Sequence, residues 1–79
     1  MTSGKVKSLV NTRRFFLERK EDESGLSGTG IVAEGIEFSN GRIGMTWRSQ
    51  VAAFSVYENI KSVETLHGHE GRTVVVWMD

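Results

Sequence analysis

The sequence predicts a small, mainly β fold: an antiparallel SH3-like barrel or bent sheet of about five strands, with one short helix before the last strand. Three observations carry this expectation. The first is Asn40-Gly41 between the apolar flanks of GIVAEGIEFSNGRIGMTW, the strongest short-range hairpin signal, because both central residues of a type I′ turn need φ > 0. The second is a succession of short alternating or β-branched runs with no proline anywhere to interrupt them. The third is that a single stretch, 58–66, changes to a helical period.

Residues 1–11 have no sustained period and predict a flexible N-terminus; 12–79 read as one small β domain. Thr12 to Lys20 reads as a strand, with Phe15, Leu17 and Arg13 on one face and Arg14, Phe16 and Glu18 on the other. Its Arg, Leu, Glu and Lys are also good helix formers, but the adjacent aromatics and the turn-rich sequence that follows favour a strand. Glu21 to Gly30 is a glycine-rich loop. It contains neither phosphate-loop spacing and leads into no helix, so an anion would find no helix N-terminus there.

In the hairpin, a two-residue turn pairs Ser39 with Arg42, Phe38 with Ile43, Ile36 with Met45 and Glu34 with Trp47. Alternation then puts Phe38, Ile36 and Glu34 with Ile43, Met45 and Trp47 on a core face and leaves Gly35 and Gly44 on the other. Glu34 is the odd member of that stripe. It either reaches water or an arginine at the open end of the hairpin, or lines a pocket beside Trp47 with a raised pKa. Val51 to Tyr57 is apolar or small on both faces and reads as a central strand. Ile60, Val63 and Leu66 fall at helical spacing, with Asn59 placed to cap the start and Gly68 to end the helix. His67 to Gly71 is a loop, and Thr73 to Met78 is the last strand, with the composition of a central or closing one. Seven large rings are many for so small a core, so some are expected to be exposed or at an interface; the plainer alternative is a core of Phe38, Phe54 and one tryptophan, with the second tryptophan half covered.

Bulk properties narrow the function. A chain of 79 residues buries only about 60% of its unfolded surface on folding, so self-association is a ready way to add buried area. There are no cysteines, hence no disulfide framework and no thiolate chemistry. No run approaches the roughly 20 apolar residues of a membrane span, and the start lacks the apolar run of a signal peptide; a cytoplasmic protein is expected, with no membrane partner. Net charge is zero, which argues against a duplex-DNA binder. The neutrality hides an asymmetry. Residues 1–20 hold six cations against Glu18 alone, net +5, and the remainder is −5.

Candidate chemistry is sparse. His67-x-His69 followed by Glu70 is the one metal-like cluster, but the intervening glycine marks a loop and no strong third ligand is near. No metal and no cofactor are expected. Without cysteine or a GxSxG serine, nucleophilic catalysis has no footing, and the expectation is that the protein is not an enzyme. Rings and arginines are the better signal, and Arg13, Arg14, Phe16, Glu34, Trp47, Arg48, Tyr57, Arg72 and Trp77 are the candidate binding residues. Such residues stack on nucleotides or single-stranded nucleic acid, and equally anchor protein interfaces. Phe15 and Phe16 point to opposite faces of one strand, so a homo-oligomer with Phe16 or Trp77 near its centre is expected.

The run SGLSGTGIVAEGIEFSNGRIGMTW, continued by VYENIKSVETLHGHEGRTVVVW, resembles a family of small proteins of bacteriophages, actinobacteria and halophilic archaea. That family shares an SGxSGTGxVAEGxxFxxGxxxxxW pattern and an HGHxGxTxxVW ending, matched here from Phe15 to Trp77. Gly44-Met45-Thr46 departs from a more common Leu-Arg, which weakens a basic face on that strand. The resemblance carries over no catalytic or binding residue. It implies a phage-type genetic context, where small proteins act by sequestering host proteins or signalling nucleotides. A non-enzymatic module that binds and inhibits a host protein is the leading expectation; a nucleotide-sequestering oligomer, or a weak single-stranded nucleic-acid binder, is the alternative.

Overall fold

The structure is a computed structural model that describes residues 9–20, 29–48 and 53–79. Among these, the chain forms strands β1 (Arg13–Arg19), β2 (Gly30–Glu37), β3 (Ile43–Trp47), β4 (Phe54–Tyr57) and β5 (Thr73–Trp77), with helix α1 (Ile60–His67) before the last strand. All neighbours are antiparallel, in the order β4-β3-β2-β1-β5. The first four strands are a meander, and the last returns beside the first. The fold is mainly β with five strands, as predicted, and the sheet is open, not a closed barrel. β4 is thus an edge strand and not the central one its composition predicted; β5 forms the other edge. The expected glycine-rich loop at 21–28, the start of the fourth strand at Val51 and Ala52, and the tail at 1–8 lie outside the described residues.

The hairpin forms, but one residue out of the predicted register. Glu37 pairs with Ile43, Ile36 with Gly44, Gly35 with Met45, Glu34 with Thr46 and Ala33 with Trp47. The cause is the turn. Phe38 N–H bonds Arg42 O at 2.8 Å and Gly41 N–H bonds Phe38 O at 2.8 Å, leaving Ser39, Asn40 and Gly41 as a three-residue loop. Only Gly41 has positive φ, at 89°, and Asn40 Oδ1 accepts from Arg42 N–H at 3.0 Å. This is a type I turn closed by a left-handed glycine, the next commonest hairpin after the two-residue one. A slip of one residue exchanges the faces of a strand. Gly35 therefore lies on the core side with Met45 and Ile43, while Glu34, Ile36 and Phe38 turn to the other side with Gly44.

Size selects this register over hydrophobicity. A Cβ on Gly35 would lie 2.5 Å from Phe15 Cζ, so the Phe15 ring occupies the volume a side chain would need. The core is Phe15, Leu17, Ala33, Ile43, Met45 and Val63, all buried, with Ile60, Val75 and both tryptophans packed around it. Phe38 and Phe54, the predicted core rings, are exposed instead. β1 alternates as predicted, and a bulge at Val32 shifts its register with β2 beyond Leu17. Helix α1 covers the core face. Asn59 caps it, its Oδ1 accepting from Ser62 N–H at 2.9 Å, and Gly68 ends it. Val63 and Ile60 face inward, whereas Leu66 is exposed.

Candidate functional site

One face of the sheet is covered by α1. The other is open and unusually apolar for a solvated face. Antiparallel sheets with one wet face normally alternate polar outward. Here Ile36, Phe38, Phe54, Val56 and Met78 are all exposed, with Phe54 at 71% and Val56 at 69%. Phe16, Val74 and Val76 share this face by alternation and are half-buried. Within it lies a groove of about 310 Å³. Its floor is glycine backbone: a Cβ on Gly44 would meet Phe54 Cζ at 2.8 Å, so the Phe54 ring lies over that glycine. Ile36, Phe54 and Met78 are its apolar walls, and Arg14, Glu34 and Thr46 its polar rim.

Both cations of this region are matched by carboxylates. Arg14 binds Asp79 in a fork, Nε to Oδ2 at 2.9 Å and Nη2 to Oδ1 at 2.8 Å, and its backbone N–H adds a third bond at 2.8 Å. Hydrogen bonds from the Arg14 side chain, then its backbone, hold the Asp79 carboxyl down to about 2, and the same side-chain bond raises the Arg14 pKa. Arg48 Nε lies 3.3 Å from Glu34. Glu34 is exposed and opposite Thr46, not buried beside Trp47; the register slip put the two on opposite faces. The groove can thus bind an apolar surface without stranding a charge and, among the described residues, has no unmatched arginine at its rim.

The predicted residues divide between the two faces. Arg14, Phe16 and Glu34 share the open face, and Arg48 joins them through Glu34. Arg13, Trp47, Tyr57 and Trp77 belong to the helix-covered face. There the Arg13 guanidinium stacks 3.7 Å from the Trp77 ring centre, with Phe15 packed against the same ring at 5.4 Å and Glu37 at 3.7 Å from Arg13. Tyr57 Oη and His67 Nε2 share a hydrogen bond of 2.8 Å, and Trp47 meets the His67 ring edge-on at 4.8 Å. These clusters close the two ends of the core. Arg72 sits half-buried in the turn before β5, where its carbonyl accepts from Lys20 N–H. Ile36, Phe54 and Met78 carry no signal of this role in the sequence, because a two-residue turn sends Ile36 into the core and Phe54 lies in a run that is apolar on both faces. Among the described residues no three His, Asp or Glu side chains come together as a metal site.

The fold and groove define a small one-sheet protein with a helix-backed core and an open apolar face. The family model described as Acb5 phage protein matches residues 12–79, and the chain belongs to that family. No curated protein and no solved structure matches it. Among the described residues, no helix is long and apolar enough to cross a membrane.

Proposed function

We propose that this phage-family protein is a non-enzymatic interaction module that acts in the host cytoplasm and seats an apolar segment of a host protein in the groove between Ile36, Phe54 and Met78. The observation that carries the reading is the exposure of large apolar side chains on one continuous sheet face. Contiguous apolar patches of a few hundred Å² on a monomer are commonly interaction sites. Anchors near the centre of such a patch, ringed by matched polar groups, dominate binding. Nucleotide sequestration is less well served by the same face. A phosphate there would have to displace Asp79 from Arg14 or Glu34 from Arg48.

The test compares three tagged proteins in host-cell lysate: wild type, Phe54→Asp, and Leu66→Asp as a control on an exposed helix position. Wild type and the Leu66 variant are expected to capture the same host protein in stoichiometric amount, and the Phe54 variant to lose it. Equal capture by all three would refute the assigned face. Thermal stabilisation by nucleotides that survives Phe54→Asp but not Arg14→Ala would replace the reading with the nucleotide one.

A further inference from the structure

We propose that β4 is a self-pairing edge, where two copies join through a two-fold axis at Ser55 into one ten-stranded sheet. Natural edge strands are guarded by lysine, proline, bulges or covering elements. Here the charges sit on the central strands, Arg13, Arg14, Glu18 and Arg19 on β1 and Glu34 and Glu37 on β2, and neither edge strand carries one. Of the two edges, β4 is the more open. The β5 residues Val74 to Trp77 are half-buried and Thr73 N–H bonds Gly68 O, whereas Phe54 and Val56 are about two-thirds exposed.

The backbone of β4 fixes the register. Trp47 N–H bonds Ala53 O at 3.2 Å, so Ala53, Ser55 and Tyr57 bond toward β3. Alternation turns the N–H and C=O of Phe54 and Val56 away from the sheet. A second copy laid antiparallel with Ser55 opposite Ser55 makes Phe54 of each face Val56 of the other as hydrogen-bonded pairs, each exchanging both its bonds. Aromatic and β-branched side chains across strands are a favoured pair, and no charged side chain lies within the paired segment. Both helices then lie on one side of the joined sheet and both grooves on the other, with the two Phe54 rings beside the seam. This pairing stands independently of the host-protein reading. A four-residue edge buries little area, so the dimer belongs to the weak class, below about 1,200 Å² in total.

The absence of cysteine supplies the test. Facing residues in a non-hydrogen-bonded antiparallel pair have Cα atoms about 4.5 Å apart, within the range a disulfide spans. Ser55→Cys is therefore expected to give a covalent dimer under mild oxidation, and Val56→Cys, whose own counterpart is diagonal at about 7–8 Å, to give little. Sedimentation of the reduced wild type over micromolar to millimolar concentrations is expected to show a reversible dimer. Val56→Pro, which removes an outward N–H while sparing the bonds to β3, is expected to weaken it about 30-fold, roughly fivefold for each of two lost bonds. Circular dichroism and thermal melting confirm that each variant is folded. A monomer across the whole range overturns the proposal, as does Val56→Cys crosslinking as fast as Ser55→Cys.

Discussion

Replacing Gly35 by alanine probes the contact that sets the register of the whole sheet. The added Cβ would lie 2.5 Å from Phe15 Cζ, 2.7 Å from Cε1 and 2.8 Å from the carbonyl oxygen of Gly44. Comfortable contact between carbons is about 3.5–4.0 Å, so both ring and paired strand must retreat. The ring has little room to do so, since Phe15 is 1% exposed and packed on Trp77. Overpacking of this kind costs about 1–3 kcal/mol, offset by the roughly 0.5–1 kcal/mol that a strand gains when glycine becomes alanine. The net expectation is a loss of about 1–2 kcal/mol, lowering the melting temperature by about 5–15 °C in a domain of this size. Chemical denaturation of Gly35→Ala, Phe15→Leu and the double variant is the assay. Phe15→Leu shortens the ring that clashes, so the double variant is expected to be more stable than the sum of the singles predicts, by at least about 0.5 kcal/mol. Wild-type stability in Gly35→Ala, or strict additivity in the cycle, would refute the assignment of Gly35 to the core side.

Gly41→Val is expected to destabilise the fold by about 1–3 kcal/mol, because a β-branched residue is strained at φ 89°; an unchanged denaturation midpoint would count against the turn. Asp79→Asn should remove a pH-dependent stabilisation. The Asp79 pKa falls from 3.8 to about 2 on folding, so this contribution is fully present above about pH 4 and is lost as pH falls through 2. Wild type and variant are expected to differ in melting temperature at neutral pH and to converge near pH 2; a gap that persists in acid would show that the ion pair with Arg14 is not its source. Tyr57→Phe deletes the hydrogen bond to His67 and is expected to cost about 0.5–1.5 kcal/mol, with a change in Trp47 fluorescence because that ring packs on His67. Unaltered emission and midpoint would contradict the contact.

Much of the fold could be read from single residues. Phe15 and Leu17 alternate against Arg14 and Phe16 as strand geometry requires, and Asn59 caps a helix whose inward residues, Ile60 and Val63, stand at the predicted spacing. The hairpin was legible too, but its loop length was not. Asn40-Gly41 serves a two-residue and a three-residue turn alike, and the choice rests on whether Phe15 needs the space over Gly35, a contact 20 positions away. That one ambiguity carried Ile36 and Phe38 to the wrong face and hid the groove. β4 was misplaced for a related reason: apolar residues on both faces mark a central strand, or an edge that is itself covered in use. The placement of Arg14 and Phe16 on one face of β1 follows from alternation alone. Phe54 was missed because it was assigned to the core.

The register of β2 and β3 also bears on the time course of folding. A hairpin that closed on Asn40-Gly41 as a two-residue turn would set Ile36 against Met45 and Phe38 against Ile43, pairing more apolar surface than the native arrangement does. Hairpins form within about 1–10 μs, before a distant strand can dock, so the slipped form is a local competitor with the better early score. The folded sheet excludes that form, because Phe15 fills the space over Gly35 that Ile36 would have to share on the core side. Exchange of that register for the native one is therefore expected as a slow phase of folding: a substitution that favours two turn residues over three should delay the native state in stopped-flow refolding, and unchanged refolding would count against it.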